Sequence, residues 1–289
     1  MRERFAPSPT GLLHLGHAYS ALLAWDAARA NGGAFLLRIE DIDSPRCKPA
    51  FEQAIYRDLA WLGLQWEKPV LRQSTRLQTY ANTLQKLWDN QMLFACTCSR
   101  KDIEITAAPQ EGGTTLLGPD GIVYPGTCRP YKPDAKNIPI PRNQALRLDM
   151  QTVTDHLGKD GMFSFTEIGS GPNGETGLIR FSAKELQTAI GDIVLARKDI
   201  GISYHLAVVL DDAFQGISHV TRGQDLFEAT KIHVVLQRLL GIPTPIYRHH
   251  GLIRDNHGKR LAKRHDAMAI SVYREQGASP QDIRALVGL

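Results

Sequence analysis

His14 and His17 stand one helical turn apart with Gly16 between them, just after the turn-rich loop Pro7-Ser8-Pro9-Thr10-Gly11. A helix beginning there presents unpaired backbone N–H groups and the positive end of its dipole, a ready seat for phosphate. Two imidazoles so spaced can donate hydrogen bonds to charge developing on a phosphoryl group in transfer. Gly16 lets a nucleotide approach the backbone closely. Nothing here resembles the Gly-x-Gly-x-x-Gly fingerprint, which argues against a nicotinamide or flavin dinucleotide. A second cluster lies further on: of four cysteines, Cys96, Cys98 and Cys128 sit within one third of the chain, and Cys47 stands apart. The opening Met1-Arg2-Glu3-Arg4 is not an apolar signal segment, so this clustering favours a metal site over disulfides.

These groups need elements to hold them. Arg4-Phe5-Ala6 reads as a short strand that runs into the Pro-rich loop. An Ala- and Leu-rich helix from 15 to about 31 follows, stopped by Gly32-Gly33. Residues 34–39 form a compact apolar run fit for a buried strand, and 51–62 and 75–91 carry helical spacing. That order predicts a parallel sheet with helices on both faces. Glycine and proline break up residues 104–145. Beyond them, 146–148 and 162–165 read as strands of a small separate sheet, and 203–212 as a return to the buried parallel-strand pattern. Helical patterning resumes over 228–240. The fold expected is α/β, a Rossmann-type core interrupted by an insertion.

The stretch from Arg4 through Pro7-Ser8-Pro9-Thr10-Gly11 to His14-Leu15-Gly16-His17 resembles the nucleotide-binding signature of the glutamyl-tRNA synthetases. Leu37-Arg38-Ile39-Glu40-Asp41-Ile42-Asp43 is similar to the second conserved stretch of that family, and the related glutaminyl enzymes differ in both. The resemblance implies a class I aminoacyl-tRNA synthetase core that activates glutamate with ATP and Mg²⁺. It places Pro7, His14, Gly16 and His17 at ATP, with His14 and His17 stabilising charge. It places Arg4, Phe5, Ala6, Pro7, Ser8, Glu40, Tyr204 and Arg222 at glutamate. Those side chains suit an acidic amino acid: guanidinium groups pair well with carboxylates, Ser8 can donate, and Glu40 can accept from an ammonium. Arg222 sits in Thr221-Arg222-Gly223-Gln224-Asp225-Leu226, similar to a family turn. Arg260-Leu261-Ala262-Lys263-Arg264 resembles the mobile Lys-Met-Ser-Lys-Ser loop, with Arg260 for the first lysine and Ala262 for the first serine. Arg260 and Lys263 are thus expected at the ATP phosphates, Lys263 as the catalytic cation.

Cys96-Thr97-Cys98 and Tyr124-Pro125-Gly126-Thr127-Cys128 resemble the structural zinc site of the shorter glutamyl-queuosine branch, three thiolates and a phenolate closing a tetrahedron. Glu104 to Gly121 forms a loop longer than usual for the family. The implied division is a Rossmann core over 1–95 and 191–255, an inserted zinc-binding, acceptor-binding-like domain over 96–190, and 256–289 as the Lys-rich loop and a short helical segment. No anticodon-reading domain follows, which points to tRNA(Asp) carrying queuosine as the acceptor. A shortened glutamyl-tRNA synthetase core acting on tRNA(Glu), or a zinc-bearing RNA-binding module, stands as the alternative. A formal charge of +4 suits a polyanionic partner, and no apolar run approaches the ~18 residues of a membrane span. A cytoplasmic monomer without membrane contact is expected.

Overall fold

Alternation along one strand divides the molecule in two. In β2 (Ala34–Ile39), Phe35, Leu37 and Ile39 enter one apolar cluster while Leu36 enters another on the opposite face. Arg38 shares the Leu36 face, because strand side chains alternate with a period of two. The computed structural model describes residues 1–108, 114–133, 138–158, 161–198, 201–253 and 268–289.

The first half of the core is β1 (Arg2–Phe5), α1 (Leu15–Ala30), β2, α2 (Pro49–Trp61), β3 (Glu67–Arg72) and α3 (Leu77–Asp89). The three strands pair in parallel in the order β1-β2-β3. A Schellman arrangement ends α1: Gly32 takes φ +57, its N–H donates to the Arg29 carbonyl and that of Gly33 to the Ala28 carbonyl. The middle holds β4 (Leu93–Cys96), α4 (Arg100–Thr106), the two-residue strands β5 (Leu117–Gly118) and β6 (Gly121–Ile122), β7 (Ala145–Leu148) and α5 (Met150–Leu157). It continues through β8 (Met162–Glu167), β9 (Gly177–Ser182), the one-turn α6 (Ala183–Glu185) and β10 (Val194–Ala196). The chain then builds α7 (Tyr204–Phe214), β11 (His219–Gly223), α8 (Ala229–Leu239), β12 (Ile246–His250), α9 (Ile270–Glu275) and α10 (Pro280–Leu286).

Two sheets stand edge to edge. β1-β2-β3 meets the four-stranded β11-β12-β8-β9 where the Ser218 N–H donates to the Arg2 carbonyl at 3.0 Å and Thr221 Oγ1 donates to Glu3 at 2.9 Å. The parallel strands thus run β3-β2-β1-β11-β12, with the direction of winding reversing between β1 and β11, the switch point of a Rossmann core.

Two expectations need correction. Residues 203–212 are the N-cap and most of helix α7, not a strand. A short apolar run does not distinguish the two, and the deciding signal is Ser203, whose hydroxyl caps the Leu206 N–H. Residues 146–148 and 162–165 do not share a small sheet either. β7 lies between β10 and β4, whereas β8 pairs with β12 at Tyr247 opposite Glu167 and so extends the main sheet. Phe163 and Phe165 on the buried face of β8 join the same apolar cluster as Trp88, Leu206, Val235 and Tyr247, so one core runs beneath both parts of the chain. Among the described residues no helix is long and apolar enough to cross a membrane.

Candidate active site

At the carboxyl ends of β1, β2, β11 and β12 the switch point opens into a cleft of about 390 Å³. Arg4, Phe5 and Ala6 line it from the end of β1, Glu40 from β2, Arg222 and Gly223 from β11 and His250 from β12. His14, Gly16 and His17 close one side from the start of α1, and Tyr204 comes from the start of α7. Nine of the residues expected at substrate therefore meet in one place: Arg4, Phe5, Ala6, His14, Gly16, His17, Glu40, Tyr204 and Arg222. Pro7 and Ser8 are not among the lining residues. Pro7 is buried behind them, and its carbonyl accepts the Glu40 N–H at 3.1 Å.

The histidine end is built by its own capping. His14 is the N-cap of α1; its Nδ1 accepts the Gly16 N–H at 3.1 Å, and His17 Nδ1 accepts the His14 N–H at 3.2 Å. With both Nδ1 atoms used as acceptors, the neutral rings carry their protons on Nε2. Gly16 keeps this packing open, since a Cβ there would lie 3.1 Å from His14 Cε1 and press the imidazole aside by a few tenths of an ångström. His250 joins from β12: its Nδ1 donates to the Gly251 carbonyl and its Nε2 takes Ser20 Oγ at 2.8 Å. The chain returns to this end at Ala269, which bridges to His14, while Ile253 lines the cleft. Arg260, Ala262 and Lys263, which follow Ile253 and precede Ala269 in the sequence, fall outside the described residues.

The opposite end is an arginine–acid network. Asp212 Oδ1 on α7 accepts from Arg4 Nε at 2.9 Å and from Arg38 Nη1 at 2.7 Å, and Arg38 Nη2 donates to Glu40 at 3.2 Å. All four side chains are buried. Burial pushes the Asp212 carboxyl upward, but Arg4 and Arg38 outweigh it and hold Asp212 below the ordinary carboxylate value. For Glu40 burial prevails over the same cations and raises it. Arg4 spends only its Nε on Asp212, leaving the Nη fork for a carboxylate.

Arg222 is held differently. Its Nε donates to His249 Nε2 at 3.1 Å, Nη1 to His233 Nδ1 at 3.1 Å, and Nη2 to Thr230 Oγ1 at 2.6 Å and the Leu226 carbonyl at 3.2 Å. Among the described residues no carboxylate pairs with it directly. Burial and the adjacent Arg222 charge push His233 well below the ordinary histidine value, so that ring is a neutral acceptor. His249 is oriented from behind by Glu167, which accepts its Nδ1–H and its backbone N–H. The direct partners of Arg222 among the described residues are thus all uncharged, with the Glu167 carboxylate one residue further back behind His249.

The cysteines converge separately. The sulfurs of Cys96, Cys98 and Cys128 lie within 4.8 Å of one another, and Tyr124 Oη is 3.4 Å from Cys96 Sγ and 3.5 Å from Cys98 Sγ. Metal bonds of ~2.3 Å to sulfur and ~2.0 Å to oxygen set S···O near ~3.5 Å in a tetrahedron, so these four atoms fit one small cation. The Arg147 guanidinium carbon stacks on the Tyr124 ring, 3.9 Å from its centroid.

Arg38, Asp212, Glu167, His233, His249 and His250 were not found as site residues from sequence. Arg38 was within reach: period-two alternation puts it on the Glu40 face. Asp212 ends the stretch misread as a strand, and no local pattern marks the histidines.

A histidine-capped helix start and an arginine–acid network sharing one cleft at a sheet switch point are the arrangement expected of a class I tRNA synthetase core. The sequence pattern of tRNA synthetases class I (E and Q), catalytic domain, matches residues 1–116 and 173–289, and the chain belongs to that family. It is 57% identical over 290 residues to a glutamyl-Q tRNA(Asp) synthetase of Rhodobacter capsulatus, covering all of both chains. To the protein of that name from Symbiobacterium thermophilum it is 39% identical, over 97% of this chain and 83% of that one. A crystal structure of a glutamate tRNA ligase from Elizabethkingia meningosepticum in complex with its amino acid superposes with a TM-score of 0.74 at 26% identity. That match covers 99% of this chain, which spans 60% of the ligase's length.

Proposed function

We propose that the chain activates L-glutamate with ATP as glutamyl-adenylate and transfers the glutamyl group to queuosine in the anticodon of tRNA(Asp). The observation that carries the reading is Arg222, a buried guanidinium without a carboxylate partner among the described residues, sharing one cleft with His14 and His17. Full-length similarity to the Rhodobacter capsulatus glutamyl-Q tRNA(Asp) synthetase supports the acceptor.

In the first step a glutamate carboxylate oxygen attacks the α-phosphorus of ATP, and the bond to pyrophosphate breaks. Arg4 and Arg222 hold the carboxylates, Glu40 accepts from the ammonium, and Tyr204 closes the pocket. His14 and His17 donate from Nε2 to the phosphoryl oxygens as charge builds, beside the N-terminus of α1. We assign Lys263 and Arg260 to the departing pyrophosphate, where Mg²⁺ brought with ATP would supply further neutralisation of phosphate charge. In the second step a queuosine cyclopentene hydroxyl attacks the adenylate carbonyl; an ester forms, AMP leaves with the electron pair, and the hydroxyl proton passes to solvent. No side-chain nucleophile takes part.

Charging with radiolabelled glutamate tests the acceptor. tRNA(Asp) bearing queuosine is expected to accept glutamate, while tRNA(Asp) lacking it and tRNA(Glu) stay uncharged. Equal charging of the two tRNA(Asp) forms, or charging of tRNA(Glu) alone, overturns the reading.

We also propose that Cys96, Cys98, Tyr124 and Cys128 hold a structural zinc ion, organising the insertion that begins at residue 96; β8 and β9, which join the main sheet, belong with the core rather than with that insertion. Zinc would fix the loop before Cys128 against β4 and take no part in the chemistry. Cys98→Ser is expected to lose about one equivalent of bound zinc, read by metal analysis, and to lower the melting temperature. Unchanged zinc content removes Cys98 from the ligand set.

A further inference from the structure

Behind Arg222 a line of hydrogen bonds leaves the cleft and ends on the long loop that the substrate contacts leave without a role. Arg222 Nη1 donates to His233 Nδ1 at 3.1 Å, His233 Nε2 meets His205 Nδ1 at 3.1 Å, and His205 Nε2 meets Asp120 Oδ1 at 2.8 Å. An arginine only donates, so the protons along the line are fixed one after another. His233 must accept at Nδ1 and therefore carries its proton on Nε2. His205 then accepts at Nδ1 and donates from Nε2 to Asp120. His205 and His233 are buried, whereas the Asp120 side chain is half-exposed at the turn between β5 and β6. Gly118, two residues before it, is pressed against the Ala189 carbonyl, where a Cβ would stand 2.8 Å away. Tyr124 of the cysteine cluster follows four residues after Asp120.

We propose that Asp120, His205 and His233 are positioning residues for Arg222, and that through them the β5–β6 turn sets the geometry of the glutamate pocket. The line orients the guanidinium through neutral rings and places no anion beside it, so its charge stays available to a ligand carboxylate. An aspartate in contact with Arg222 would hold it equally still but would compete with the substrate. The role rests on Arg222 being the cation that glutamate meets.

The two amide replacements at position 233 separate positioning from packing. Asparagine puts an oxygen where His233 Nδ1 stands and keeps the acceptor for Arg222; glutamine puts its oxygen and nitrogen further out, near Nε2. In glutamate-dependent ATP–pyrophosphate exchange, His233→Gln is expected to raise the KM for glutamate about tenfold or more, and His233→Asn no more than about threefold. The KM for ATP should be unchanged in both. Asp120→Ala, at a half-exposed site that tolerates truncation, is expected to raise the glutamate KM about threefold to fivefold, also without effect on ATP. Equal effects of the two amides, a rise in the ATP KM that matches the rise for glutamate, or an unmoved glutamate KM in Asp120→Ala overturns the role. Arg222→Ala in the same assay keeps the failures apart: if it leaves the glutamate KM unmoved, the pocket assignment itself falls; if it raises KM while the His233 and Asp120 variants do not, only the relay falls.

Discussion

Replacing Arg222 with alanine is expected to lower kcat/KM for glutamate by roughly a hundredfold or more, while the KM for ATP changes little. Truncating one member of a buried charge pair costs about 2–5 kcal/mol, and each ~1.4 kcal/mol is a factor of ten. Arg222→Lys should recover little of the loss. A lysine ammonium cannot span His249, His233, Thr230 and the Leu226 carbonyl, which the guanidinium fork reaches together. Steady-state ATP–pyrophosphate exchange at varied glutamate reads this directly. A glutamate KM within twofold of the parent protein would remove Arg222 from the pocket.

The second large effect is on stability. Asp212 is the shared acceptor of Arg4 and Arg38, and Asp212→Ala leaves two buried guanidinium groups without it. The expected loss is about 3–5 kcal/mol in denaturant unfolding. Asp212→Asn, which keeps an acceptor oxygen but not the charge, should fall between. The sign of the pH dependence follows from the folded-state carboxyl lying below its ordinary value of 3.8. Its contribution is complete above that value and is lost as pH falls through the lower, folded one. The stability gap between parent and Asp212→Ala should therefore persist from neutral pH to mildly acidic conditions and close only in strong acid. A gap that closes near neutrality would show that another group carries it.

How much of this was legible in the sequence depends on the range of the signal. The start and stop of α1 were readable because capping is local: His14 and His17 supply one end and Gly32-Gly33 the other. β2 was readable because its apolar residues fill both faces of a strand buried on either side. The clustering of Cys96, Cys98 and Cys128 likewise pointed to a site that the fold does bring together, with Tyr124 joining it only through the family resemblance. Helix α7 was misread because residues 206–210 are apolar without a break, which fits a strand in a parallel sheet as well as a helix buried on most sides. Shells around site residues were the least legible. His249 reaches Arg222 across 27 positions and Asp212 reaches Arg4 across 208, and partners so distant leave no pattern in any window of the chain.

The uncharged surroundings of Arg222 carry a consequence for selectivity. Glutamate would bring a carboxylate to a guanidinium whose direct partners among the described residues are all neutral, and so give it an anion in contact. Glutamine has nearly the same shape but offers a neutral amide, and the charge-assisted bond, a matter of a few kcal/mol, would be lost. The pocket can thus disfavour the amide without a steric wall, because only the acid meets the guanidinium with an opposite charge.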